Sequence, residues 1–150
     1  MMPTVICIEW GSAQYEHMLK LRKRVLLAPI GVPFTYIIPE REKTDFLIAA
    51  FDGIQMLGCC VLTPRSEQSI QLRQMAVETH AQKAGVGRQM VQFAESLAKE
   101  KGFTVLYMHA RNPVMNFYSR CGYTIDGEEF EEVGIKHHRM QKSLELGVGS

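Results

Sequence analysis

The stretch that decides the fold is IQLRQMAVETHAQKAGVGR, residues 70–88. Its opening alternates as a strand does, but the apolar positions fall first at Ile70 and Leu72 and then at Met75 and Val77. Strand side chains repeat every second residue, so the alternation slips by one position near Arg73 and Gln74. One extra residue there reads either as a plain irregularity of sequence or as a β-bulge, and a bulge splays a strand from its neighbour and leaves backbone groups free to bind something. The chain then passes through Gln82-Lys83-Ala84-Gly85-Val86-Gly87-Arg88 straight into a helix, with Met90, Val91, Phe93, Ala94, Leu97 and Ala98 at core spacing. Lys99 and Lys101 sit in its last turn and Gly102 stops it.

That loop has a chemistry of its own. Two glycines let a ligand approach the backbone closely, and the free amides of the helix's first turn meet the positive end of its dipole, an arrangement suited to a pyrophosphate. Arg88 adds a cation at the same end. The Gly-Lys-Ser/Thr ending of the triphosphate loop is absent, and so is the third glycine of the dinucleotide fingerprint. Taken alone, the glycine pair equally describes a structural turn.

Working outward, Phe103 to His109 is an apolar strand of the fully buried kind, and strand, loop, helix and buried strand in that order predict a parallel crossover. Asn112-Pro113 opens a short helix through Arg120, with the asparagine in the place of an N-cap and the proline in the first turn. Cys121-Gly122 closes it, Tyr123 to Ile125 and His138 to Leu144 are strands, and the tail from about 146 to Ser150 is expected to fray.

Toward the N-terminus, Thr4 to Glu9 is β-prone, and Gly11-Ser12 precede a helix with apolar Tyr15, Met18, Leu19, Val25 and Leu26 that Pro29 ends. Lys20, Arg22, Lys23 and Arg24 on that helix are expected to form a solvated face. Ile30 to Lys43 is apolar but broken by Gly31, Pro33 and Pro39, a packed loop first and a pocket border second. Phe46 to Phe51 and Ile54 to Leu62 should pair antiparallel through a turn at Asp52-Gly53.

Composition narrows the class. The chain has 150 residues, 46% of them hydrophobic, enough for one domain with a proper core. A formal charge of +1 gives no field to attract nucleic acid or an anionic membrane. No apolar run reaches the length of a membrane span and no cleavable leader opens the sequence, so a cytoplasmic location is expected. Cys7, Cys59, Cys60 and Cys121 form no CxxC pair and are expected to be reduced core thiols. His137 and His138 are adjacent and diverge in an extended segment, so no metal site is expected.

Gln-x-x-Gly-x-Gly after a bulged strand and before an amphipathic helix, followed by a buried strand and Asn112, Phe117-Tyr118 and Gly122-Tyr123, resembles the GNAT superfamily of N-acetyltransferases. The likeness is specific from about Ile70 to Tyr123 and looser before that. It implies an α/β (α+β) fold: a mixed, mostly antiparallel central sheet with helices on both faces and a splayed, bulged strand. It also implies acetyl-CoA as co-substrate. By that similarity Met75, Ala76 and Val77 line the acetyl and pantetheine arm, and Gln82, Lys83, Ala84, Gly85, Val86, Gly87 and Arg88 carry the phosphates. Asn112, Phe117 and Tyr118 complete the cofactor contacts.

The resemblance further implies an amine attacking the thioester directly in a ternary complex. The Val77 amide would stabilise the carbonyl oxygen, and Tyr118 would protonate the leaving thiolate. For the base, Glu78, His80, Glu128, Glu129, Glu132 and His137 all stay open, with Glu129 named for the acidic run Glu128 to Glu132, itself either an acceptor-attracting patch or a solvated loop. Gly127 to Phe130 with Gly134-Ile135 and His137 is similar to the ElaA-like subgroup, which often carries proline where this chain has Lys136. A polyamine, an antibiotic, an amino acid and a protein amine all remain open as acceptors, and exposed strand edges leave a homodimer open. The contrasting reading is a CoA-binding sensor that has lost turnover.

Overall fold

The computed structural model describes residues 3–145. The chain divides into two compact units, the first built from residues up to Thr63 with Arg73–Ala94, the second from Pro64–Leu72 with the residues from Glu95 on.

In the first unit, β1 (Thr4–Ile8) leads into α1 (Ala13–Leu21), whose start is fixed by Ser12: its Oγ accepts the Tyr15 amide at 3.1 Å. α1 does not stop at Pro29 as a plain helix would. It widens into a π-helical turn at Arg22–Leu27 and tightens into a 3-10 turn at Ala28–Ile30 that contains the proline, and Gly31 at φ +70° ends it. The broken segment after it is held by two more 3-10 turns, Phe34–Tyr36 and Pro39–Glu42.

β2 (Phe46–Asp52) pairs antiparallel with β1 and with β3 (Gln55–Pro64). The hairpin stands one residue later than expected: Asp52 pairs with Gln55, so the two-residue turn is Gly53-Ile54. Gly53 at φ +62° supplies the left-handed first position, and Ile54, fully exposed, belongs to the turn rather than the strand. Beneath the strands, Tyr15, Met18, Leu19 and Leu27 bury against Leu47, Ala49, Cys59, Val61 and Ala76.

β4 (Ser69–Val77) is irregular where the alternation slips: Gln74 stands at φ +56°, a left-handed conformation rare for a residue with a side chain. A 3-10 turn at Thr79–Ala81 and the loop follow, and then α2 (Val86–Glu100), which buries Val86, Met90, Val91, Ala94 and Ala98. Phe93 and Leu97, expected in that core stripe, are half-buried.

In the second unit the first residues of β4 pair in parallel with β5 (Val105–Arg111), from Ser69 with Val105 to Leu72 with Met108. The ladder ends there, although β5 runs on to Arg111. A 3-10 turn at Asn112–Val114 and α3 (Met115–Arg120) lead to β6 (Thr124–Ile125) and β7 (Phe130–Glu132), both paired antiparallel with β8 (Ile135–Ser143), which also pairs with β5. The acidic run is therefore partly strand and not simply a solvated loop, closed by a Val133-Gly134 turn with both residues at positive φ. Among the described residues eight strands make the mixed, mostly antiparallel sheet of an α/β fold, in which β4 and β5 pair in parallel. The tail expected to fray lies outside the described residues.

The four cysteines are unbridged thiols, but Cys7 is exposed rather than in the core. Burial pushes the Cys59 thiol up to about 12 and raises Cys60 well above its usual value, which leaves both unreactive. No helix among the described residues is long and apolar enough to cross a membrane. Nor does any group of three or more His, Cys, Asp and Glu among the described residues stand ready to hold a metal.

Candidate active site

In the first unit the loop Gln82–Gly85 is exposed, and α2 begins directly after it at Val86. Gly85 stands at φ +81°, and a Cβ built on it would meet nothing within 4 Å, so its backbone lies open to an incoming group. The Gln89 amide closes the first helical bond to the Gly85 carbonyl at 3.1 Å. The amides of Val86, Gly87 and Arg88 belong to the first turn of α2, where no carbonyl of the helix itself stands opposite them. Lys83 and Arg88 are exposed at the same end. This is a fit for a pyrophosphate.

Gln82 has a further task. Its Nε2 donates to the Val77 carbonyl at 3.1 Å, tying the loop to the last residue of β4. The end of β4 is fixed from a second side by the Glu78 amide, which donates to the Leu57 carbonyl at 2.8 Å. Ala76 is buried, and Met75 and Val77 are half-buried. β3 approaches here at Gly58, where a Cβ would stand 2.8 Å from Met90 Cε and 3.0 Å from the Ala76 carbonyl oxygen. The Arg24 fork binds both oxygens of Glu78, at 2.7 and 2.9 Å, and holds its carboxyl below the usual range. His80 is exposed.

In the second unit Tyr118 is buried at 6% exposure and meets Phe117 and Tyr123 edge-on, with ring centroids 5.0 and 6.2 Å away. Tyr123 is anchored by its hydroxyl, which donates to Glu95 at 2.8 Å. Burial and the Glu95 charge raise its phenol well above the usual value. Asn112 is not the N-cap expected of it, since Arg111 holds that place with no side-chain capping bond. Instead its Nδ2 donates to Glu129 at 2.8 Å and its Oδ1 accepts from His138 Nδ1 at 2.9 Å. Glu129 also lies 3.8 Å from Lys136 Nζ. Glu132 faces His109 at 3.3 Å and His137 at 3.9 Å, with Phe130 stacked on the His137 ring. Glu128 is exposed.

The sequence reading missed a buried charge cluster in the first unit. Arg22 is 0% exposed and Glu42 2%, although Arg22 belongs to the cluster expected to be solvated. Arg22 donates to both oxygens of Glu42, at 2.9 and 2.6 Å, and the Tyr15 hydroxyl donates to Glu42 at 2.7 Å. Burial alone would raise the Glu42 carboxyl, but the Arg22 hydrogen bonds and charge outweigh it and hold the group below the usual carboxylate range. A signal was available: Arg22 falls seven residues after Tyr15 and four after Met18, on the buried stripe of the helix.

The description "Acetyltransferase (GNAT) domain" fits residues 35–144, and the chain belongs to this GNAT acetyltransferase family. YyaT of Bacillus subtilis, uncharacterised by its own name, is 32% identical over 78 residues, 52% of this chain and 53% of YyaT. The chain spans about half the length of the curated relatives it matches first. Among solved structures, ElaA of Escherichia coli superposes with a TM-score of 0.79 at 16% identity, over 94% of this chain and 99% of ElaA. A GNAT acetyltransferase from Elizabethkingia anophelis with acetyl-CoA bound superposes with a TM-score of 0.71 at 21% identity, over 96% and 98% of the two chains. At these identities the likeness is one of fold.

Proposed function

We propose that the chain is an N-acetyltransferase that takes an acetyl group from acetyl-CoA and delivers it to a primary amine of a small molecule by direct attack. The observation that carries the reading is the open, left-handed Gly85 at the mouth of α2, in a loop tied by Gln82 to the end of β4. A neighbour in fold is an aminoglycoside 6'-N-acetyltransferase complexed with coenzyme A, with a TM-score of 0.79 at 15% identity over 93% of this chain and 96% of its own. That complex supports coenzyme A as a ligand of this fold.

In this reading Lys83, Ala84, Gly85, Val86, Gly87 and Arg88 bind the pyrophosphate with amides and cations. Met75, Ala76 and Val77 bind the pantetheine arm, with the Val77 amide set against the charge that builds on the thioester oxygen. Glu129, steadied by Asn112, takes the amine's proton through water, and Tyr118 gives its own to the departing thiolate. Phe117 and Asn112 contribute to the arm's binding. Gln82 joins them at the cofactor and also holds the loop to the end of β4.

Calorimetric titration with acetyl-CoA tests the reading, alongside a Gly85→Glu, Gly87→Glu variant that places two carboxylates at the phosphate site. Binding by the parent that the variant loses is the expected result. No binding by the parent would leave the two glycines as a turn and refute the assignment. With binding in hand, Tyr118→Phe should lower kcat by about a hundredfold or more while acetyl-CoA affinity stays. Binding without turnover of any amine by the parent would make the protein a sensor.

A further inference from the structure

We infer that the pocket beside the buried Arg22–Glu42 pair is the acceptor site, and that it selects amines that also carry a carboxylate. This rests on the acetyltransferase reading and deepens it. The pocket is a small, open cleft whose wall contains Arg22, Arg41, Arg73, Glu42 and Gln74 together with Tyr36, Ile37 and Ile38. Gln74 is the left-handed residue of β4, and its Oε1 accepts from Arg22 Nε at 3.3 Å. The next three residues of β4 are Met75 to Val77, which the reading above gives to the acyl group. At a strand's rise per residue, Gln74 stands about 10 Å along the chain from Val77, a span that calls for an amine separated from its carboxylate by several methylenes.

The charges decide what such an amine must look like. Three arginines face one glutamate, and that glutamate is already committed to Arg22 and Tyr15 through three hydrogen bonds. Its oxygens are therefore poor partners for an ammonium group. Arg73 is partly compensated, with Asp45 Oδ2 at 3.9 Å and Thr63 Oγ1 at 3.3 Å. Arg41 is exposed and makes no salt bridge with any acidic side chain among the described residues. A polyamine or other polycation meets surplus positive charge here. An amine bearing a carboxylate instead brings the planar anion that a guanidinium fork matches, while Ile37, Ile38 and Tyr36 offer apolar contact to its body.

The test is calorimetry on protein saturated with CoA, so that acceptor binding is read without turnover. The probes are γ-aminobutyrate, 5-aminovalerate and 6-aminohexanoate, each beside its carboxamide, with spermidine and an aminoalkyl phosphonate as contrasting ligands. Carboxylates should bind about tenfold or more tighter than their amides, the scale of one charge-assisted hydrogen bond. Arg41→Gln, at an exposed position that leaves folding intact, should remove most of that preference without changing acetyl-CoA affinity, and Arg73→Gln should reduce it as well. Equal binding of acids and amides would overturn the inference with the acetyltransferase reading intact. So would tighter binding of spermidine or the phosphonate, no binding of any probe, or a preference untouched in both variants. Failure of the parent to bind acetyl-CoA is the separate result that removes the reading beneath it.

Discussion

Replacing Glu42 by leucine should be among the most damaging single changes in the chain. The carboxylate is 2% exposed and accepts three hydrogen bonds, two from Arg22 and one from Tyr15. Without it Arg22, fully buried, keeps a charge it cannot discard, because a guanidinium does not deprotonate within the working range of a protein. Breaking a buried pair from one side costs about 3–5 kcal/mol. At about 2–4 °C per kcal/mol for a chain of this size, Tm should fall by roughly 6–20 °C. Arg22→Met should cost less, since Glu42 would still have Tyr15 and would shed its charge by taking a proton. The double variant Arg22→Met, Glu42→Leu should recover most of the loss, because an apolar pair leaves neither charge stranded. Urea denaturation of the four proteins closes the thermodynamic cycle. A Glu42→Leu loss under about 1 kcal/mol, or a double variant equal to the sum of the singles, would refute the claim that this pair is a buried, mutually compensating unit.

Two further outcomes follow from the same structure. Because the folded Glu42 carboxyl sits below its ordinary value of 4.5, its contribution is present above that pH and is lost as pH falls through the lower folded value. The parent's Tm should therefore drop below about pH 4.5, and the double apolar variant should show a shallower fall on the same thermal scans. Gly58→Ala should lose about 1–3 kcal/mol in denaturant titration, because Met90 Cε can swing aside from the new methyl but the Ala76 carbonyl, 3.0 Å away, is held in β4.

Much of this molecule was legible in its residues. The slip from Leu72 to Met75 marked the one place where β4 turns left-handed, because a period of two makes a single extra residue visible. The helix after Gly85 was legible for a similar reason, its apolar stripe being long enough to fix the period. Short signals fared worse. Asp52-Gly53 named the hairpin but not its register, because β-branched Ile54 looks like strand whether or not it is covered. Val133-Gly134 carries no asparagine or aspartate to announce a turn, so the β7 hairpin went unseen. Asn112 was read locally as a cap, while its actual partners, Glu129 and His138, are brought to it only by the fold. Arg22 was read by its charge when its place in the helical period held the better information.

The bond from Gln82 to the Val77 carbonyl has a consequence for how a coenzyme A thioester would be used under the proposed function. One side chain joins the loop assigned to the nucleotide end of acetyl-CoA to the residue assigned to its thioester. Under the proposed function, gripping the far end of the donor would also align the reacting end, and binding energy gained at a distance would be converted into rate. Acetyl-pantetheine, which has the thioester but no nucleotide, would accordingly be a slow substrate even at saturation, and not merely a weak one.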